Sequence, residues 1–300
     1  MLAYRRDLIE ALGIDVGALD TWDKFAAVGR RLTGDLDGDG VPDRYMLDLL
    51  ASGDTALTTL IFQRGGELFD RAGNVAFDSQ PVAEVILWYL RQIAGPQKIA
   101  YDAGWGQSAA KAMTDGLVLF FLTPDWRSFQ YQTEVPWLRG KMALMPLPAW
   151  TPGGRRTSVW GGTGLMIMKA TQHPELAWEL ATFLYFDRES LSRRFAETNI
   201  VPVLKDAWKR PELDAPNPYF SNQPIGRMYA QLAPDTPPIN SSPVDAVARA
   251  KLNQAFSRCL EFYQRHGETG LPATIHAELA RAAADVRRMA DRNRALAEAK

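Results

Sequence analysis

Leu117-Val118-Leu119-Phe120-Phe121-Leu122-Thr123-Pro124-Asp125-Trp126-Arg127 carries six apolar residues straight into a helix start. A short apolar run bounded by Gly116 and by Thr123-Pro124 reads as a buried strand. Thr123, Pro124 and Asp125 then supply a cap, a proline at the first helical position and an acid in the first turn, so the sequence predicts a helix over 124–131. With the other periodic segments mostly helical, the chain reads as helix-rich with few strands. Outward from this stretch, helical periodicity marks 5–12, 21–31, 55–63, 81–93, 108–114, 174–186, 189–197, 218–232, 244–264 and 272–299. Thr21 and Asp23 open the second of these, and Pro272 opens the last. Two further strands are predicted at 141–144 and at 164–169, the latter reading GLMIMK with alternation. Proline-rich stretches at 146–154 and 234–243 mark crossings between lobes, so both ends of 161–235 are predicted hinges. The run 281–300 mixes Arg287, Arg288, Arg292 and Arg294 with Asp285, Asp291 and Glu298, the composition of a solvated helix face.

Three hundred residues that are 46% hydrophobic and 23% charged can bury a sizeable core. Thirty-four basic against 35 acidic side chains leave a net charge of −1, so no overall field draws the chain onto nucleic acid. The longest apolar run is far below the ~20 residues of a spanning helix, and no secretory h-region stands at the N-terminus, so direct membrane insertion is not expected. The lone Cys259 excludes an internal disulfide, and His173, His266 and His276 have no metal or triad spacing.

Several strings, in order, carry a resemblance. They are Tyr4-Arg5-Arg6-Asp7-Leu8 with Ala11-Leu12-Gly13-Ile14 and Thr21-Trp22-Asp23-Lys24-Phe25; then Gln63-Arg64-Gly65-Gly66-Glu67-Leu68-Phe69-Asp70 with Val75-Ala76-Phe77. Met145-Pro146-Leu147-Pro148, Trp160-Gly161-Gly162-Thr163-Gly164 and His173-Pro174-Glu175 with Ala177-Trp178 follow. Together they resemble the extracellular solute-binding proteins of carbohydrate ABC transporters, the maltose-binding-protein group. The resemblance implies a helix-rich, periplasmic-binding-protein-like α/β fold of type II. Residues 1–158 and 244–300 would form a discontinuous second lobe, and 161–235 an incomplete first lobe, with hinges near 159–161 and 235–243. Family chains carry a signal peptide and most of the first lobe ahead of the matching region. The implied partners are a sugar and ABC permease subunits, and the implied location is extracytoplasmic.

Asp35-Leu36-Asp37-Gly38-Asp39-Gly40-Val41-Pro42-Asp43 places oxygens at loop positions 1, 3, 5 and 9 with Gly40 at 6, as in an EF-hand calcium loop. Asp35, Asp37, Asp39, the Val41 backbone and Asp43 are the candidate Ca2+ ligands. Met46 stands where a bidentate Glu is expected, and a solvated acidic turn fits the same residues. Trp126, Asp125 and Arg127 put an indole, an acid and a guanidinium on one helical turn, which suits the apolar face and hydroxyls of a sugar. In the resembling family an aromatic after this strand stacks on ligand, so that role falls on Trp126, although a core indole fits equally. Trp105 between Gly104 and Gly106 suits an exposed platform or a loop anchor. Trp160, Gly161 and Gly162 would admit a ligand close to backbone or simply turn the chain, and Thr163 replaces an aromatic of the family pattern. Asp54 and Gln63 fall on a helix whose family counterpart faces the cleft.

The expected function is non-enzymatic carbohydrate binding between two lobes. A carbohydrate-active enzyme would use the same tryptophans, but no acid pair stands out by spacing and no catalytic motif is present. A third reading is a solute-binding remnant with little autonomous binding. If half the contacts of a micromolar complex, about −8.2 kcal/mol, lay elsewhere, about millimolar affinity would remain.

Overall fold

The computed structural model describes residues 1–298; the side chains of Asp54 and of residues 294–298 lie outside that description. Five strands form one mixed sheet in the order β3-β2-β4-β1-β5. They are β1 (Leu2–Arg5), β2 (Tyr45–Asp48), β3 (Ala100–Tyr101), β4 (Val118–Leu122) and β5 (Met142–Met145). β2 runs parallel to β3 and β4, while β1 lies antiparallel between β4 and β5.

Both faces of the sheet are covered, which is why its strands read as continuous apolar runs. Leu2, Tyr4, Ala143 and Met145 point into one core, and Ala3, Met142 and Leu144 into the other. The first core is closed by α2 (Trp22–Leu32), α3 (Asp54–Arg64), α4 (Gln80–Ile93), α10 (Asp245–His266) and α11 (Leu271–Glu298). Thr21 caps α2 through its side chain, and Arg30 and Arg31 oppose the helix dipole in its last turn. A Cβ on Gly29 would stand 2.8 Å from Ile99 Cδ1 and 3.0 Å from Met46, so glycine is what lets α2 lie against β2. Phe120 stacks on Tyr4 at 5.3 Å and meets Phe25 edge-on at 5.0 Å, with all three rings buried in this core.

The second core is closed by α5 (Gln107–Asp115), α6 (Asp125–Glu134), α8 (Arg188–Thr198) and α9 (Ile225–Leu232). α1 (Arg6–Ala11) follows β1, and α7 (Pro174–Phe186) stands apart from both cores. The stretch 161–235 therefore divides. Phe195, Leu213, Tyr219, Phe220 and Ile225 share the second core, whereas 161–186 is largely exposed.

Four expectations need correction. Residues 164–169 form no strand, because no neighbouring strand pairs with them; Met166 is 83% exposed and Met168 71%. The helix expected over 218–232 begins only at Ile225. Ser221 and Asn222 take positive φ, and Asn217 Oδ1 accepts from the Tyr219 and Phe220 amides, closing a turn ahead of it. Thr123 does not cap α6: its Oγ accepts from Ala3 N and donates to Phe121 O, extending the sheet. The charged face of α11 is only partly solvated, since Arg287 reaches Asp78 and the Val75 carbonyl. Among the described residues no helix is long and apolar enough to cross a membrane.

Candidate functional site

A cavity of about 600 Å³ opens beyond the carboxyl end of β4, where crevices of open α/β sheets receive ligands. One wall is the start of α6, with Pro124, Asp125 and Trp126; a second is the strip from Thr157 to Thr163; a third comes from α8, α9 and the segment after α8, with Arg194, Val201 and Tyr229. The strip is laid along α3 by two hydrogen bonds: Thr59 Oγ donates to Val159 O at 3.1 Å and Ser158 Oγ to Thr59 O at 2.5 Å. Gly161 and Gly162 have φ of 89° and 141°, and a Cβ at either would meet nothing within 4 Å. Their glycine character thus serves the turn rather than close packing.

Five of the expected ligand residues meet on this cavity: Asp125, Trp126, Trp160, Gly161 and Gly162. Trp126 is half-buried at its edge. Asp125 accepts from Trp126 N at 2.8 Å and from Val201 N at 2.9 Å, so its carboxylate ties α6 to the segment after α8. Tyr229 donates to Thr123 O at 3.1 Å; burial, and then Asp125, hold its hydroxyl well above the ordinary phenol range. Thr59, Ser158, Arg194 and Tyr229 were not expected from sequence, and no local motif marks them.

Trp105 and Arg127 sit beside the cavity, not in it. The Arg127 guanidinium lies 4.3 Å from the Trp105 ring centre, donates to Leu122 O, and stands 3.9 Å from Asp48 Oδ2. It is 4% exposed, so its charge faces the chain's own carboxylate rather than a ligand. Trp105 in turn meets Trp160 edge-on at 6.1 Å, continuing the aromatic wall outward. Burial raises the Asp48 carboxyl to about 6 against the opposing pull of Arg127. A carboxyl that holds its proton more tightly when folded favours folding below the ordinary carboxylate range, and that contribution is lost as pH rises through about 6.

Gln63 does not face the cleft. Its amide is buried, accepting from Trp22 Nε1 at 2.9 Å and donating to Pro148 O at 2.7 Å and Arg155 O at 2.9 Å, which makes it a tie between α2, α3 and the 148–155 loop. Asp54 opens α3, and its side chain lies outside the described residues. In the acidic loop, Asp35, Asp37 and Asp39 bring carboxylate oxygens within 4.8 Å of one another, all exposed. Amides of Gly40 and Gly38 bind Asp35 and lower its pKa. Asp43 instead accepts from Leu36 N and Asp37 N and stands outside that trio.

Residues 1–189 match the model of the bacterial extracellular solute-binding protein family. The arabinooligosaccharide-binding protein of Halalkalibacterium halodurans is 27% identical over 227 residues, 73% of this chain and 49% of that protein. The chain spans about half the length of the curated relatives it matches. The structure of the sugar-binding protein MalE from Xanthomonas citri superposes with a TM-score of 0.73 at 18% identity, covering 100% of this chain and 70% of that one. A transporter-associated binding protein from B. animalis subsp. lactis, solved with beta-1,6-galactobiose, gives 0.71 at 16% identity, covering 96% and 71%.

Proposed function

Because the chain belongs to the bacterial extracellular solute-binding proteins, we propose that it captures a carbohydrate in the cavity beyond β4 and serves an ABC import system outside the cytoplasm, without chemical change to the sugar. The observation that carries this reading is the wall itself. Trp126 and Trp160 line it and supply the apolar surface a pyranose or furanose ring needs, and beside them stand the Arg194 guanidinium and the hydroxyl oxygens of Thr59 and Ser158, which give their protons to backbone carbonyls and remain acceptors. An arabino-oligosaccharide is the first ligand to try, since the relative in H. halodurans bears that name. Glycoside hydrolysis is the competing reading, and it needs a pair of carboxylates across the bond. Asp125 is the only carboxylate among the described residues lining the cavity, and two backbone amides already hold it. That favours binding over hydrolysis.

The lobes are proposed as 1–158 with 244–300, joined by the part of the expected 161–235 excursion that shares the second core, while 161–186 belongs to the opposite lobe. The exposed apolar side chains of 165–168 and α7 support this division. Capture would then present the closed form to permease subunits.

Trp126→Ala is expected to weaken sugar binding by about 2 kcal/mol, roughly 30-fold, as for a buried aromatic anchor. Trp137→Ala, on a ring 58% exposed and absent from the cavity wall, should leave affinity unchanged. Equal loss in both variants, or none in either, would move the site elsewhere. The Asp35–Asp39 carboxylates are proposed to take a structural calcium ion. Millimolar calcium should then raise the melting midpoint, and Asp37→Asn should abolish the rise; an indifferent midpoint would leave an acidic turn.

A further inference from the structure

Asp48 ends β2, is 7% exposed, and reaches the surroundings of Trp105 by two routes. Its Oδ1 accepts from Ala103 N at 3.2 Å, within the loop that carries Trp105, and its Oδ2 lies 3.9 Å from the Arg127 guanidinium. Arg127 covers the Trp105 ring at 4.3 Å. The loop has two further ties: Asp102 accepts from Ala51 N at 2.8 Å, and Ser108 Oγ donates to Ala103 O at 2.7 Å. One buried carboxylate therefore holds the backbone next to the ring and orients the cation stacked on it.

Such an arrangement is costly unless it fixes something, because a carboxylate and a guanidinium are both taken out of water for a contact at the outer limit of an ion pair. What it fixes is a tryptophan that is 46% exposed. Trp105 packs edge-on against Trp160, and Trp160 lines the cavity. We propose that Asp48 is a positioning residue, which sets Trp105 through Arg127 and the Ala103 amide and so sets the aromatic wall at the mouth of the cavity. Its consequence for affinity rests on the carbohydrate-binding reading; its geometry does not.

The charged and titratable groups facing Asp48 are Arg127 and Tyr131 from α6 and Asp102 from the loop after β3. With the Asp48 carboxyl held near 6 by burial, acidification from about pH 8 to about pH 5 neutralises it. The Ala103 amide keeps its acceptor, but the guanidinium loses its counter-charge and the stack on Trp105 loosens.

The test needs no sugar. Acrylamide quenching of the chain and of Trp105→Phe, taken as a difference, isolates Trp105 across that pH range. The expected result is a Trp105-dependent rise in quenching with a midpoint near 6 in the unaltered chain. In Asp48→Asn the high quenching should hold at every pH. The same titration in Asp48→Asn, or no Trp105-dependent change in the unaltered chain, would overturn the proposal. Should Asp48→Asn lack native circular dichroism, Arg127→Lys takes its place: it keeps the charge and loses the planar stack. Trp105 should then be quenched at every pH as strongly as in the acidified chain, and unaltered quenching would overturn the proposal. With sugar, affinity should fall about two- to fivefold below the midpoint and stay flat in Asp48→Asn. A titratable Trp105 in a chain that binds no sugar would remove the carbohydrate reading and leave the positioning role standing.

Discussion

Replacing Gln63 by alanine is expected to lower the unfolding midpoint of the chain by about 5–10 °C, with sugar affinity unchanged. Three partners depend on that one amide: the Trp22 indole N–H and the carbonyls of Pro148 and Arg155. Each buried group left without a partner costs about 1–3 kcal/mol, and with some relaxation on the less buried Arg155 side the total is about 3 kcal/mol. Gln63→Glu is a sharper probe, since its carboxylate can still accept from Trp22 but turns an oxygen toward two carbonyl oxygens. A thermal melt beside a sugar titration reads both effects. If Gln63→Ala kept its midpoint and lost affinity, Gln63 would belong to the cleft after all.

The second large effect is association. Leu176, Leu180 and Phe183 recur at helical spacing along one stripe of α7, each more than half exposed, and Leu165 to Met168 add four exposed apolar side chains nearby in sequence. Contiguous apolar surface of this kind is rare on monomers and drives contact with whatever apolar surface is at hand, including another copy. Light scattering of the purified chain should therefore give a mass that grows with concentration. Leu180→Glu with Phe183→Glu should return it to a monomer without lowering the melting midpoint, because neither side chain is part of either core. A monomer at high concentration before any substitution would count against association through this surface.

Much of the architecture was legible because local chemistry and tertiary role agree. The apolar run 117–122 became a central strand, and Pro174 opened a helix with the expected bounds. What was missed was short and buried on both faces. β1, β2 and β3 have four, four and two residues, too few to show a period, and their strand character comes from the neighbours they pair with. The reverse error at 164–169 has the same root: alternation supplies a strand's pattern, but a partner must supply its hydrogen bonds. At the site, Trp126, Asp125, Trp160 and the two glycines were visible because a strand end and a turn concentrate them in sequence. Thr59, Arg194 and Tyr229 arrive from three separate elements and carry no local mark. Gln63 was placed in the cleft by the family counterpart of its helix and Arg127 by its place beside Asp125 and Trp126 at a helix start, whereas both spend their polar atoms inside the fold.

Calorimetric titration of the purified chain with arabino-oligosaccharides and maltodextrins, followed by product analysis of each mixture, tests carbohydrate capture most directly. Saturable heat with one sugar class, lost in Trp126→Ala, and recovery of that sugar intact is the expected result. Cleavage of the sugar, or an absence of heat with every sugar from a chain that melts cooperatively, would contradict it.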